Sequence, residues 1–299
     1  MIGVAYAVEY VHPLPDGHKF PMEKYSLLYE QLKHSGIIEG NEIEPAILKD
    51  EYLTDVHLAS YVDRLKNLEL SPREQRVSGF QHSKQLIERE FLIMEGTRRC
   101  AQFALENGAA LNIAGGTHHA YTDKGEGFCL LNDQAIAANW LLKHTDVKKV
   151  LIVDLDVHQG NGTAEIFKER EEVFTFSMHG KNNYPLKKEI SDLDVELEDG
   201  INDSEYLNLL ETSLIKVKDQ FNPDFVFFQS GVDILSTDKL GRLGLSIQGC
   251  RRRDQMVAEF THDLGLPVVC TMGGGYSRDV RDIVNAHANT FEIIATYFG

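Results

Sequence analysis

Two carboxylates and an imidazole stand at alternate positions in Val150-Leu-Ile-Val-Asp-Leu-Asp-Val-His158. A strand has a side-chain period of two, so Asp154, Asp156 and His158 are expected to face one way. Asp233, which closes Phe225-Val-Phe-Phe-Gln-Ser-Gly-Val-Asp, can complete a set with Asp156 and His158. Two carboxylates and one imidazole leave positions open for water and substrate, as a catalytic zinc site requires. The same donors suit other first-row ions, Fe2+ among them. His118 and His119 follow Gly115-Gly-Thr, where glycine allows close backbone approach. One imidazole can take a proton from water while the other holds or donates one, and Asp154 and Asn161 are the candidate partners that orient them. Tyr276 ends Met272-Gly-Gly-Gly-Tyr, where a phenol can donate a hydrogen bond to a developing oxyanion. A phosphate loop would need a following Lys-Ser/Thr, which these glycines lack.

The elements that must carry these groups can be read from hydrophobic pattern. Strands are expected at Ile2–Val8, Ala110–Ile113, Val150–Val153, Val173–Phe176, Phe225–Phe228 and Pro267–Thr271. Val150-Leu-Ile-Val and Phe225-Val-Phe-Phe are continuously apolar, as parallel strands buried on both faces are. Helices are expected near Glu23–His34, Leu58–Asn67, Lys84–Glu106, Asp133–Lys143, Ser204–Asp219, Gln248–Leu264 and Arg278–Ala295. Strands separated by helices imply repeated βαβ units. The expectation is one α/β domain over residues 1–299, a three-layer α/β/α arrangement around a doubly wound, mainly parallel sheet. Ionisable residues follow Ile113, Val153, Phe228 and Thr271, so four strands deliver them beyond their carboxyl ends, where open α/β sheets bind ligands.

Lys and Arg number 30 against 46 Asp and Glu, a net charge of −16 that disfavours binding to nucleic acid or anionic lipid. Cys100, Cys129, Cys250 and Cys270 are far apart with no CxxC pair, which argues against a disulfide framework and fits a reducing compartment. The first residues show no basic, apolar leader pattern, and no run approaches the ~18 apolar residues of a membrane span. A cytoplasmic location is expected.

Gly115-Gly-Thr-His-His-Ala, Gly127-Phe-Cys-Leu-Leu-Asn-Asp, Asp154-Leu-Asp-Val-His-Gln-Gly-Asn-Gly, Gly231-Val-Asp and Gly273-Gly-Gly-Tyr together resemble the histone deacetylase family, with its arginase/deacetylase fold, in order and spacing over most of the chain. His158-Gln-Gly-Asn-Gly162 and Thr237-Asp-Lys-Leu-Gly-Arg-Leu-Gly-Leu-Ser look most like the class IV branch and its bacterial relatives. The resemblance implies a hydrolase that removes acetyl or longer fatty acyl groups from lysine side chains or small acylated amines. It makes Asp156, His158 and Asp233 zinc ligands, His118 and His119 the acid/base pair with His119 as general base, and Tyr276 the group that polarises the carbonyl. It also implies a structural potassium ion near Asp154, Asp156, His158, Ser177 and Met178. Gly127, Phe128 and Tyr184 would wall a substrate tunnel with Leu240 at its mouth. Many members have His where Gln159 stands, and class I members have Asp where Asn161 stands. Lys66–Gln85 does not match the acidic substrate-holding loop of class I members.

Two rivals remain. An arginase-like ureohydrolase would need a carboxylate two residues after His158, where Gly160 stands. A metal-holding module that binds acylated ligands without turnover is not favoured by any residue. Leu240 speaks against polyamine-selective members, which carry an acidic residue near that position.

Overall fold

A computed structural model describes residues 2–299. Eight strands form one sheet: β1 (Gly3–Ala5), β2 (Glu42–Ile43), β3 (Ala109–Asn112), β4 (Val150–Asp154), β5 (Val173–Gly180), β6 (Leu193–Leu197), β7 (Phe225–Gln229) and β8 (Val268–Thr271). Their order is β2-β1-β3-β8-β7-β4-β5-β6, and every pairing is parallel. The helices are α1 (Lys24–His34), α2 (Asp50–Thr54), α3 (Ala59–Lys66), α4 (Pro72–Ser78), α5 (Lys84–Asn107), α6 (Asp133–His144), α7 (Asn161–Phe167), α8 (Asp203–Gln220), α9 (Ile247–Asp263) and α10 (Val280–Phe298).

The apolar runs explain why the sheet is covered on both faces. In β4, Leu151 and Val153 enter one core while Val150 and Ile152 enter the other. In β7, Val226 and Phe228 part from Phe225 and Phe227 in the same way. Alternate side chains of a strand point to opposite faces, so continuous hydrophobicity demands helices on both. The small core contains Ala101 and Ala104 of α5, Ala135 and Trp140 of α6, and Phe167 of α7. The larger one takes apolar residues from α1, α8, α9 and α10.

Several expectations need correction. Strand pairing near the start covers only Gly3–Ala5, because Val8–Tyr10 forms a 3-10 turn that buries Tyr10 and leaves Val8 exposed. The edge strands β2 and β6 and the short helices α2, α4 and α7 were not anticipated. β4 runs one residue past the expected Val153 and stops at Asp154, so Asp156 and His158 lie beyond the strand whose period was to align them. The Asp154 carboxylate accepts the Asp156 N–H (3.1 Å) and that of Asp156 accepts the His158 N–H (3.0 Å). Side chains thus take amides that a ladder would use, and the chain turns. The loops after β3, β8, β7 and β4 arise from four strands that are neighbours in the sheet.

Candidate active site

The turn after β4 separates the three polar residues that the strand period had put on one face. Asp156, His158 and Asp233 converge, and their ligand-type atoms lie within 4.8 Å of one another. His158 Nδ1 is 3.1 Å from Asp156 Oδ1 and 3.1 Å from Asp233 Oδ2. Asp154 instead turns to His118. Backbone amides fix the carboxylates: Gly274 N–H donates to Asp156 (2.7 Å) and Val157 N–H to Asp233 (3.0 Å). Gly274 admits no side chain, since a Cβ there would collide with the Asp233 carboxylate. Burial, then Asp156, pushes the Asp233 carboxyl up to about 7. Desolvation and the neighbouring carboxylate both disfavour a second buried negative charge here. Two buried carboxylates and one imidazole fit a divalent cation, which would relieve that resistance.

Arg253 of α9 braces this arrangement from beneath. Its guanidinium, fully buried, donates to the carbonyls of Leu155 (3.2 Å), Gly231 (2.6 Å) and Ser230 (3.1 Å), at the roots of both ligand-bearing loops.

The histidine pair sits beside the carboxylates, with ring centroids 4.1 Å apart. His118 Nδ1 lies 2.7 Å from Asp154 Oδ2. Burial opposes its protonation, but Asp154 and Asp156 outweigh it and push the imidazole up to about 9. His119 moves the other way: burial, then His118 and His158, hold it well below the usual histidine range. Its Nδ1 is 2.5 Å from Asn161 Oδ1. Asn161 Nδ2 donates to the Tyr121 hydroxyl (3.0 Å), which leaves Oδ1 to accept from His119. His119 therefore carries its proton on Nδ1 and presents Nε2 as an acceptor. Neighbouring groups whose pKa values are driven apart suit the acid and base roles of one reaction.

Asp133, the first residue of α6, ties down the loop that bears both histidines. It accepts from Gly116 N–H (3.1 Å), Thr117 N–H (2.8 Å), Thr117 Oγ1 (2.8 Å) and Thr97 Oγ1 (2.7 Å). Beyond the metal-type cluster, the Gly273 carbonyl accepts from the buried ammonium of Lys24 at 3.1 Å. Burial lowers Lys24 to about 8 despite the attraction of Asp233, Asp156 and Asp238. Tyr276 packs against Phe20 and Phe128, with ring centroids 6.0 and 5.9 Å away. Burial, then Asp233 and Asp156, raises its phenol well above the usual range, so it stays a proton donor.

A mouth cavity of about 560 Å³, lined by Val77, Tyr184, Leu186, Leu240 and Arg242, leads to these groups. It shares Gly127, Phe128, His119, His158 and Tyr276 with an inner cavity of about 30 Å³ that ends at Tyr25, Arg89 and Ile93. Helix α4 sets the wall. Gly127 N–H donates to the Val77 carbonyl (3.1 Å) and Phe128 N–H to that of Ser78 (2.9 Å), which holds Phe128 at a φ of 69°. Tyr184 donates its hydroxyl to Glu126 at the rim. The residues expected around potassium adjoin one another, because Asp154 and Ser177 are partners in the β4–β5 register and Met178 follows.

All the expected site residues thus lie on one edge of the sheet. Lys24, Asp133, Tyr121 and Arg253 were not singled out by sequence reasoning. Only Asp133 left a signal, as the last residue of Gly127-Phe-Cys-Leu-Leu-Asn-Asp.

Comparison with known proteins gives a match to the histone deacetylase domain over residues 18–291. An uncharacterized protein of Picosynechococcus sp. is 42% identical over 286 residues, 95% of each chain. Histone deacetylase 2 of Arabidopsis thaliana is 29% identical over 277 residues, which are 89% of this chain and 72% of that one. The crystal structure of an HDAC homolog complexed with SAHA superposes with a TM-score of 0.86 at 25% identity, covering 99% of this chain and 84% of that one.

Proposed function

Since the chain belongs to the histone deacetylase family, we propose that it is a zinc-dependent deacylase that hydrolyses the amide of an acylated lysine side chain. The observation that carries this reading is the convergence of Asp156, His158 and Asp233 beside two imidazoles of opposed basicity. We read residues 1–299 as one catalytic domain, because both cores share a single sheet.

Asp156, His158 and Asp233 would hold the zinc ion, which when bound polarises the amide carbonyl and lowers the pKa of water from about 15.7 toward about 7. His119, neutral at Nε2, takes the proton of the attacking water. Tyr276 donates its phenolic hydrogen to the oxyanion that develops on the carbonyl oxygen. His118, held as an imidazolium by Asp154, steadies that negative charge and supplies a proton as the amine departs. Phe128 and Tyr184 flank the lysine stem and exclude water, with Leu240 at the mouth. The inner cavity of about 30 Å³ holds little more than one water, so it favours acetyl or a similarly short acyl group. A long alkyl chain would have to displace Tyr25, Ile93 or Arg89.

Potassium belongs to the same proposal, held by Asp154 and backbone oxygens near Asp156, His158, Ser177 and Met178, since hard cations take oxygen donors. The class IV likeness rests on Gln159, Asn161 and the segment after Thr237. Four free, buried cysteines support a reducing, cytoplasmic setting. Among the described residues no helix is long and apolar enough to cross a membrane. The ureohydrolase reading loses ground here, because a Cβ at Gly160 would run into the Asp154 carboxylate.

A panel of acyl-lysine peptides from acetyl to myristoyl, assayed with zinc and with chelator, tests the reading. Acetyl should be cleaved fastest, and chelator should abolish the reaction. Comparable rates on every peptide with chelator present would overturn it.

A further inference from the structure

The loop that carries Leu240 and the loop that carries Tyr276 come from different strands, yet one carboxylate joins them. Asp238 Oδ1 accepts the N–H groups of Leu240 (2.8 Å) and Gly241 (2.9 Å). Its Oδ2 accepts the N–H of Tyr276 at 2.6 Å. A second tie runs alongside, between the hydroxyls of Thr237 and Ser277 at 2.9 Å. The joined loops have little room to shift: a Cβ on Gly241 would strike the backbone oxygen of Asp233, and Asn183 donates to the Leu240 carbonyl at 2.8 Å.

We infer that Asp238 is a positioning residue that locks the phenol of Tyr276 and the mouth residue Leu240 into one rigid unit. The inference rests on the reading of Tyr276 as the group that polarises the carbonyl. An ionised carboxylate is acceptor-only and can take N–H groups on both oxygens at once. An asparagine keeps one acceptor and turns an amino group against the N–H groups on the other side, so one of the two loops is released. The phenol then wanders from a place where tenths of an ångström matter, because an oxyanion donor works only at hydrogen-bond distance from the developing charge.

Hydrogen exchange at the Tyr276, Leu240 and Gly241 amides in Asp238→Asn reads the clamp independently of any substrate. Exchange should quicken at Tyr276 or at the Leu240–Gly241 pair; rates equal to wild type at all three would overturn the inference. With the acetyl peptide, the same variant should lose at least tenfold in kcat while KM stays within about threefold. Added to Tyr276→Phe, it should cost less than twofold more. Full additivity of the two substitutions would also overturn the inference, since Asp238 would then not act through Tyr276. Should the wild type cleave no peptide of the panel, the functional reading falls and the exchange rates still decide the clamp. If Asp238→Asn fails to fold, Thr237→Val loosens the parallel tie and should quicken exchange at Tyr276; no change there would count against the unit.

Discussion

Two adjacent imidazoles in water would titrate together, and here unlike partners separate them. His118 faces Asp154, whereas His119 faces an amide, Asn161. Asn161→Asp tests the consequence. A carboxylate at 161 favours the His119 imidazolium and raises its pKa. A general base must be neutral, so the acidic limb of kcat/KM should move to higher pH. A pH profile unchanged by the substitution would remove Asn161 from control of His119. Tyr276→Phe addresses the other side of the reaction. Loss of one oxyanion donor costs about 2.7–4 kcal/mol, or roughly 10²–10³ in kcat. Zinc content, measured on the purified variant, should match wild type because the phenol lies outside the ligand set. Near-normal turnover would take Tyr276 out of the mechanism.

Elements, rather than single residues, determine how these groups meet, and one buried histidine shows it. His57 lies between α2 and α3. Its Nδ1 is 2.9 Å from the Tyr121 carbonyl, and its Nε2 accepts the Asn132 N–H at 3.0 Å. It thereby joins the loop after the histidine pair to the start of α6, and burial lowers it to about 4. An unfolded histidine titrates near 6.5, so between pH 6.5 and 4 the unfolded state binds the extra proton. The stability this neutral ring contributes is present above pH 6.5 and is lost as pH falls toward 4, by about 3 kcal/mol. Urea unfolding at pH 7, 5.5 and 4.5 should show that loss, and His57→Gln should flatten it. An equal slope in the variant would refute the assignment. His57 also marks the limit of what the sequence reveals. The metal-type residues were legible because each follows an apolar strand within a few positions, and local spacing carries that signal. Asp133, Tyr121, Lys24 and Arg253 reach the site through packing between distant segments, which no local period records. Lys24 opens an amphipathic helix and reads as a solvated charge, yet it is fully buried. Helix α4 was missed although Ser71-Pro-Arg-Glu74 spells a capping box, realised in both hydrogen bonds. A seven-residue helix is too short for hydrophobic periodicity to mark, and its signal lies in the cap. The strand period also misled at Asp154, where side-chain acceptors overrode the ladder.

At the scale of the whole molecule, the loops at one edge of the sheet bury two carboxylates side by side within a chain of net charge −16. That arrangement should make the protein less stable without its cation and gate its pH response. Asp233 is raised from 3.8 to about 7 in the folded chain, chiefly by burial and Asp156. A carboxyl with a raised folded pKa adds stability below the unfolded value and loses it as pH rises through the folded one. In chelator, the melting temperature of wild type should therefore fall relative to that of Asp233→Asn between pH 4 and 7. With zinc, binding to the native state adds about 2.7 kcal/mol at a hundredfold excess over Kd, and the cation offsets the repulsion between the two carboxylates. Asp233→Asn should separate the two effects: in chelator at pH 8 it melts higher than wild type, on the order of 5 °C, while zinc no longer raises its melting temperature appreciably. Thermal melts of both proteins, with zinc and with chelator, measure this directly. Equal melting temperatures in chelator would mean that the buried carboxylates carry no strain for a cation to relieve, and that the site is held by Arg253 and the surrounding loops alone.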